Sequence, residues 1–147
     1  MSETLRYHLQ AQGSYVLGGA VLIGFSIENL SSGDIWILKW YTPLEGIKGK
    51  IFEVKCDGVD IPYEGRLMKR GNPEPDDYVC LHPGETVRTE FDLASLYSLP
   101  VCKRCLLKFR GRIHDVVFSQ REAPRISDDH LPADVPGNTA SFSITRR

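Results

Sequence analysis

The chain has 147 residues, 41% hydrophobic and 25% charged, with a net charge of −1 from 18 basic and 19 acidic side chains. That is the length of one domain with a real core and the composition of an ordinary globular protein. The charge balance gives no case for nucleic acid or an anionic membrane as partner, and no apolar run approaches the ~20 residues that span a bilayer.

The N-terminus, MSETLRYHLQAQG, alternates apolar and polar residues where a secretory signal would show a basic start and a continuous apolar stretch. A cytoplasmic protein is therefore expected, or a secreted one if a leader has been trimmed. Leu5, Tyr7, Leu9 and Ala11 give a half-buried first strand by their period of two. Val21, Ile23, Phe25 and Ile27 mark a second, and the polar turn NLSSGD follows. Residues 35–41 are apolar on both faces except at Lys39, as in a central strand.

Residues 51–56 and 59–63 flank Asp57-Gly58, the strongest hairpin signal in the chain, because Gly accepts the positive φ that a two-residue turn requires. Pro62 lacks an amide donor, which makes the second arm an edge or an early stop. The loop GNPEPDD precedes a short strand at 78–81, the turn His82-Pro83-Gly84-Glu85 and a strand at 87–91. Residues 93–98 suggest one helical turn. Residues 106–117 alternate again, with Leu107, Phe109 and Ile113 on one face and Lys108, Arg110 and Arg112 on the other. Residues 119–138, rich in Pro and Asp, read as a long irregular connection, and Phe142 and Ile144 close the chain with a last strand. Eight or nine short strands at regular spacing predict an all-β, antiparallel sandwich of immunoglobulin-like architecture, one domain over residues 1–147.

The segment from Trp40 to Leu93 carries a resemblance. Its pieces are KWYTPLEG (39–46), IFEV (51–54), YEG (63–65), Lys69-Arg70, LHPGE (81–85) and FDLASLY (91–97). In order and spacing they resemble the non-catalytic N-terminal region of the deuterolysin-like, lysine-specific zinc metalloendopeptidases, over about half of the chain. Those proteases carry H-E-x-x-H and a further aspartate in a separate catalytic domain. Here none of His8, His82, His114 and His130 is followed by Glu, so no catalytic residue carries over. The resemblance implies a free-standing accessory domain of the kind that elsewhere precedes a protease.

Four cysteines, Cys56, Cys80, Cys102 and Cys105, do not make a disulfide scaffold, and reduced thiols are expected. Cys102-Lys103-Arg104-Cys105 has the spacing of a redox or zinc motif, but no βαβ pattern surrounds it and zinc would need two more ligands. Cys56 and Cys80 qualify only if the fold brings them near; otherwise they are small core residues. His114-Asp115 sets acid beside base, yet strand neighbours point to opposite faces. Trp36 and Trp40 share a strand face and are either a stacking platform or core. Lys69-Arg70 is either a solvated pair or a basic loop that a trypsin-like or lysine-specific protease would grip.

The expectation is a non-enzymatic protein-binding module, protease-associated or inhibitor-like. Two end loops, 42–50 and 69–77, would fill a partner's cleft through Thr42, Pro43, Leu44, Glu45, Lys69, Arg70 and Asn72. The alternative is a structural or carbohydrate-binding sandwich using Trp36 and Trp40, and a third reading is a thiol or zinc site at Cys102 and Cys105. No cofactor is expected. The partner would be a protein, a protease foremost, rather than nucleic acid or membrane, and the chain would be a monomer or a weak dimer.

Overall fold

A computed structural model describes residues 4–146; residues 1–3, the start of the N-terminal alternation, and Arg147, the end of the basic Arg146-Arg147 pair, lie outside it. The chain is an all-β sandwich. In chain order its strands are β1 (Leu5–Gln10), β2 (Ser14–Val16), β3 (Leu22–Asn29), β4 (Ile35–Leu38), β5 (Phe52–Cys56), β6 (Val59–Asp60) and β7 (Tyr78–Leu81). Then follow β8 (Thr86–Asp92), β9 (Cys102–Phe109), β10 (Arg112–Ile113), β11 (Val116–Val117), β12 (Ala133–Asp134) and β13 (Ala140–Thr145). Eight of these are four residues or longer, which matches the sequence expectation.

A five-stranded sheet, β2-β13-β9-β5-β6, faces a three-stranded sheet, β1-β3-β8. A second three-stranded sheet, β11-β4-β7, and the pair β10-β12 complete the set. The ladders are antiparallel except where β2 runs parallel to β13. The two large sheets meet through aromatic rings. Phe109 of β9 lies 5.1 Å from Tyr7 and 5.3 Å from Phe25, centroid to centroid, and Phe52 of β5 stacks 5.1 Å from Phe91 of β8. Phe25, Phe52 and Phe109 are fully buried, and burying each stabilises the fold by about 2–3 kcal/mol.

The Asp57-Gly58 hairpin forms as expected, with φ of 49° and 84°. Its carboxylate has a second task. Opposite the hairpin the β9–β13 register slips between Phe142 and Ile144, so β9 carries one extra residue. The Asp57 carboxylate accepts from the amides of Lys103 (3.1 Å) and Arg104 (2.9 Å), two donors within that irregular stretch. A regular strand would send residues 102 and 105 to opposite faces. The bulge turns both inward, and Cys102 and Cys105 are buried while Lys103 and Arg104 are exposed.

The outer edge of β1 is covered by the chain between β12 and β13. Tyr7 donates its amide to Pro136, and the Asn138 side chain both accepts from the Leu9 amide (2.7 Å) and donates to the Leu9 carbonyl (2.8 Å).

Several sequence expectations shift. The arm after Asp57-Gly58 stops at Asp60, an edge strand cut short ahead of Pro62. The alternating run expected at 106–117 begins earlier, at Cys102, and breaks at Gly111, whose φ of 76° redirects the chain into β10 and β11. The helical turn expected at 93–98 is a 3-10 turn over Leu93–Ser95, started by the Asp92 carboxylate. The 119–138 connection contains two 3-10 turns and β12. Strand β2, only three residues long and beside Gly18-Gly19, gave no readable alternation.

Gly137 runs alongside Tyr7, and a Cβ there would overlap the ring carbons of that buried tyrosine. Gly137→Ala is expected to cost about 1–3 kcal/mol, the usual effect of overpacking, read as a lower denaturant midpoint at unchanged m.

Candidate functional site

After β4 the chain leaves the sheet at Trp40 and Tyr41, and the loop that follows is built from the inside. Thr42, fully buried, donates its hydroxyl to the Lys39 carbonyl (2.7 Å) and accepts from the Leu44 amide (3.1 Å). It thereby starts the 3-10 turn Pro43–Glu45, whose first residue is a proline with its φ already set. That turn carries the Glu45 carboxylate back over the loop, where it accepts from the Tyr41 amide (2.7 Å). Tyr41 holds a φ of 59°, unusual for a residue with a side chain, and the Glu45 bond is what fixes it there.

The same carboxylate meets Arg70 at 2.6 Å. The Arg70 guanidinium carbon lies 4.8 Å from the Trp40 ring and 5.0 Å from the Tyr41 ring. With side chains only 12% and 8% exposed, Arg70 and Glu45 form a largely desolvated pair gripped by two aromatic faces. Loop 42–50 and loop 69–77 are thus joined into one body.

Beside this clamp lies a buried carboxylate. Asp115 is fully buried and accepts from Tyr78 Oη (2.5 Å), from Arg125 Nη2 (2.6 Å) and Nε, and from the Leu131 amide (2.9 Å). Burial alone would raise its carboxyl above the usual range, but the donors from Arg125, Leu131 and Tyr78 outweigh that and hold it below. Burial and the Asp115 hydrogen bond push the Tyr78 hydroxyl up to about 12, so it stays a donor. His130 Nε2 donates to the Arg125 carbonyl and the ring packs 6.2 Å from Trp40, while His114 packs 4.8 Å from Tyr41. The two networks are therefore neighbours.

The residues singled out in the sequence divide sharply. Thr42 and Pro43 are buried, Leu44 packs against the main core and Glu45 is largely covered, so these four residues form the base of the loop, while Gly46 and Lys50 are exposed. Lys69 and Arg70, read together as a solvated pair or an exposed basic loop, separate: Lys69 is exposed and Arg70 is clamped. Asn72 is exposed and accepts from the Ser127 amide at 2.8 Å, which ties its loop to the 119–138 connection. Trp40 is buried under Arg70, and Trp36 is half-buried at the edge of a small cluster with Leu38, Trp40 and Tyr78. The pair offers no open stacking platform, because a cation already occupies the Trp40 face. The Asp115–Arg125–Tyr78 network escaped sequence reading, although an aspartate set among Ile113, Val116 and Val117 was a legible sign of a buried charge.

The bulge in β9 gathers three thiols. Cys56 sits directly across from Cys105 with sulfurs 3.4 Å apart, and Cys102 lies within 4.8 Å of both. Three sulfurs are the donor set of a soft metal ion. Burial pushes the Cys56 thiol well up and the Cys105 thiol to about 11, so both are protonated in the metal-free chain. A second cluster, Asp34, Cys80 and His82, lies near the surface. Burial and the nearby Asp34 and Glu85 raise the Cys80 thiol, the wrong direction for a nucleophile, while His82 is raised by its 2.9 Å bond to Asp34.

No known protein-family profile matches this chain. It is similar to an extracellular protease of Aeromonas hydrophila, with 29% identity over 79 residues, which is 54% of this chain and 22% of that protein. The chain thus spans about a fifth of that relative's length. Among solved structures it aligns over the full length of both chains with the CARDB domain of a Pyrococcus furiosus protein, at 10% identity and a TM-score of 0.40.

Two outcomes follow from the paired networks. In a double-mutant cycle on Glu45→Gln and Arg70→Met, chemical denaturation is expected to give a coupling of about 1–3 kcal/mol, with either single change costing more than the pair together would suggest. Asp115 has a folded carboxyl below its unfolded value, so its stabilisation is present above about pH 4 and is lost as pH falls through the folded value. Asp115→Asn is expected to lower stability at pH 7 by about 2–4 kcal/mol, and the gap to the native chain should narrow in denaturant melts taken below about pH 4.

Proposed function

We propose that this chain is a non-catalytic β-sandwich module that binds a protease and obstructs its cleft. The observation that carries the reading is the way Lys69 is presented. Lys69 is exposed, and the next residue, Arg70, is held by Glu45, Trp40 and Tyr41. Three residues after Lys69, Asn72 is bonded to Ser127, and the Gly71 carbonyl accepts from the Ser127 hydroxyl. A loop backbone anchored this way loses little conformational freedom on binding, leaving the Lys69 side chain as the part to be ordered, which favours a stoichiometric obstructor over a cleaved substrate.

The partial similarity to an extracellular protease supports a protease-associated role. The resemblance to the deuterolysin-like, lysine-specific enzymes supports the finer version, in which the partner is a metalloendopeptidase whose specificity pocket takes a lysine. In this version the module is an accessory or inhibitory domain and performs no chemistry of its own.

The test is residual activity as the purified chain is titrated into metallo-, serine and cysteine proteases. Stoichiometric inhibition of a lysine-specific metalloendopeptidase is expected, weakened about tenfold or more by Lys69→Ala, as for an interfacial anchor. That variant should melt with the native chain, because the Lys69 side chain is exposed. A flat titration against every class, with the chain intact afterwards, would remove the reading.

A further inference from the structure

Three of the four cysteines converge in the core, and two separate devices bring them there. Asp57 donates its amide to the Arg104 carbonyl, so the adjoining Cys56–Cys105 pair is of the non-hydrogen-bonded kind, in which facing side chains come closest. The β9 bulge then adds Cys102 to the same face, and the Asp57 carboxylate pins that bulge through the amides of Lys103 and Arg104. Cys56, Cys102 and Cys105 are only 3%, 5% and 0% exposed, so what they bind is held by sulfur and not by water. Cys80 lies on another sheet and takes no part.

A metal–thiolate bond is about 2.3 Å long, so three sulfurs around one ion in their plane stand about 4.0 Å apart. Here the Cys56–Cys105 edge is 3.4 Å and the two edges to Cys102 are within 4.8 Å. Sulfur shifts of less than about 1 Å therefore centre an ion of that bond length. Among the described residues no other Cys, His, Asp or Glu joins the three. Zinc in a structural site takes four protein ligands and is one short, whereas monovalent copper is softer and is satisfied by two or three thiolates. A cleft of about 700 Å³ gives a way in: Cys102 lines it, with Lys103, Ser143 and Arg146 around it and Asp57 at its side. Lys103, Arg104 and Arg146 are exposed there, and they set positive charge beside the excess negative charge of a copper–thiolate unit.

We propose that Cys56, Cys102 and Cys105 form a three-sulfur site for monovalent copper, entered past Cys102 and held in shape by the Asp57 carboxylate. Each thiol that ligates gives its proton to solvent, and the copper keeps its oxidation state. Binding therefore tightens as pH rises, since a protonated thiol must be deprotonated first. Asp57 is a positioning residue: it touches the bulge amides and not the ion. The site is independent of the protease reading, because the Lys69 loop takes no part in it.

The test titrates cuprous ion into the reduced full chain without oxygen, against a chromogenic cuprous chelator as competitor. One ion per chain is expected, with an ultraviolet thiolate-to-copper band and an affinity that climbs with pH. Cys102→Ala and Cys56→Ala should each abolish chelator-resistant binding, and Cys80→Ala should leave it unchanged, with melting curves showing that each variant folds. Asp57→Asn keeps a residue that accepts positive φ at the turn but loses one of the two acceptors on the bulge, and should weaken binding about tenfold, as for loss of a group that orients a ligand. Copper-edge X-ray absorption on the native chain needs no variant and should give three sulfurs at about 2.3 Å. Nitrogen or oxygen donors at the copper, binding that survives Cys102→Ala or is lost with Cys80→Ala, or displacement of the copper by equimolar zinc would overturn the proposal. So would a Cys56–Cys105 disulfide, seen as a mass two hydrogens lower, that persists in the chain under the reducing conditions of the titration.

Discussion

A carboxylate cannot be removed from water without donors, and Asp115 is fully buried. Its three donors come from two segments that share no ladder: Tyr78 at the start of β7, and Arg125 and Leu131 on the long connection. Satisfying one charge therefore fixes the course of some twenty residues that have few strand pairings of their own. Arg125 passes the constraint on through its Nη2 bond to the Val116 carbonyl, and its own carbonyl receives His130. His130 in turn packs against Trp40, beneath the Arg70 clamp. The irregular half of the molecule is held by buried electrostatics where the regular half is held by aromatic packing.

The clamp and the hub have the same logic at different depths. Each places an arginine where it must be paired, and each takes the pairing carboxylate from a different loop or strand. Arg rather than Lys is suited to both: the planar Arg70 guanidinium lies against two rings while bonding Glu45, and Arg125 reaches the Asp115 carboxylate through Nε and Nη2 together. The outcome is a loop surface that is stiff at its roots and exposed at its tips, with Lys69 at one tip.

Much of the fold was legible because its signals are local. Period-two alternation in Leu5–Gln10 and Leu22–Asn29, and the Asp-Gly turn at 57–58, each state their structure within a few residues. The features that were not legible depend on distance. Nothing local to Cys102 and Cys105 announces that a bulge opposite Phe142 will turn both thiols inward beside Cys56. Nothing local to Lys69-Arg70 tells which cation will find Glu45, twenty-five positions away. Turn residues such as Thr42 and Pro43 predict a loop correctly, but whether the loop faces water or core is decided by what packs on it.

Asn138 replaces, with a side chain, the neighbour that β1 lacks. A bare strand edge is a template for any other extended chain, and β1 is a six-residue edge with a regular alternating face. By returning both a donor and an acceptor to Leu9, Asn138 occupies the positions at which an incoming strand would begin to pair. One amide side chain thus closes the stretch of edge at which β1 would otherwise pair with another extended chain.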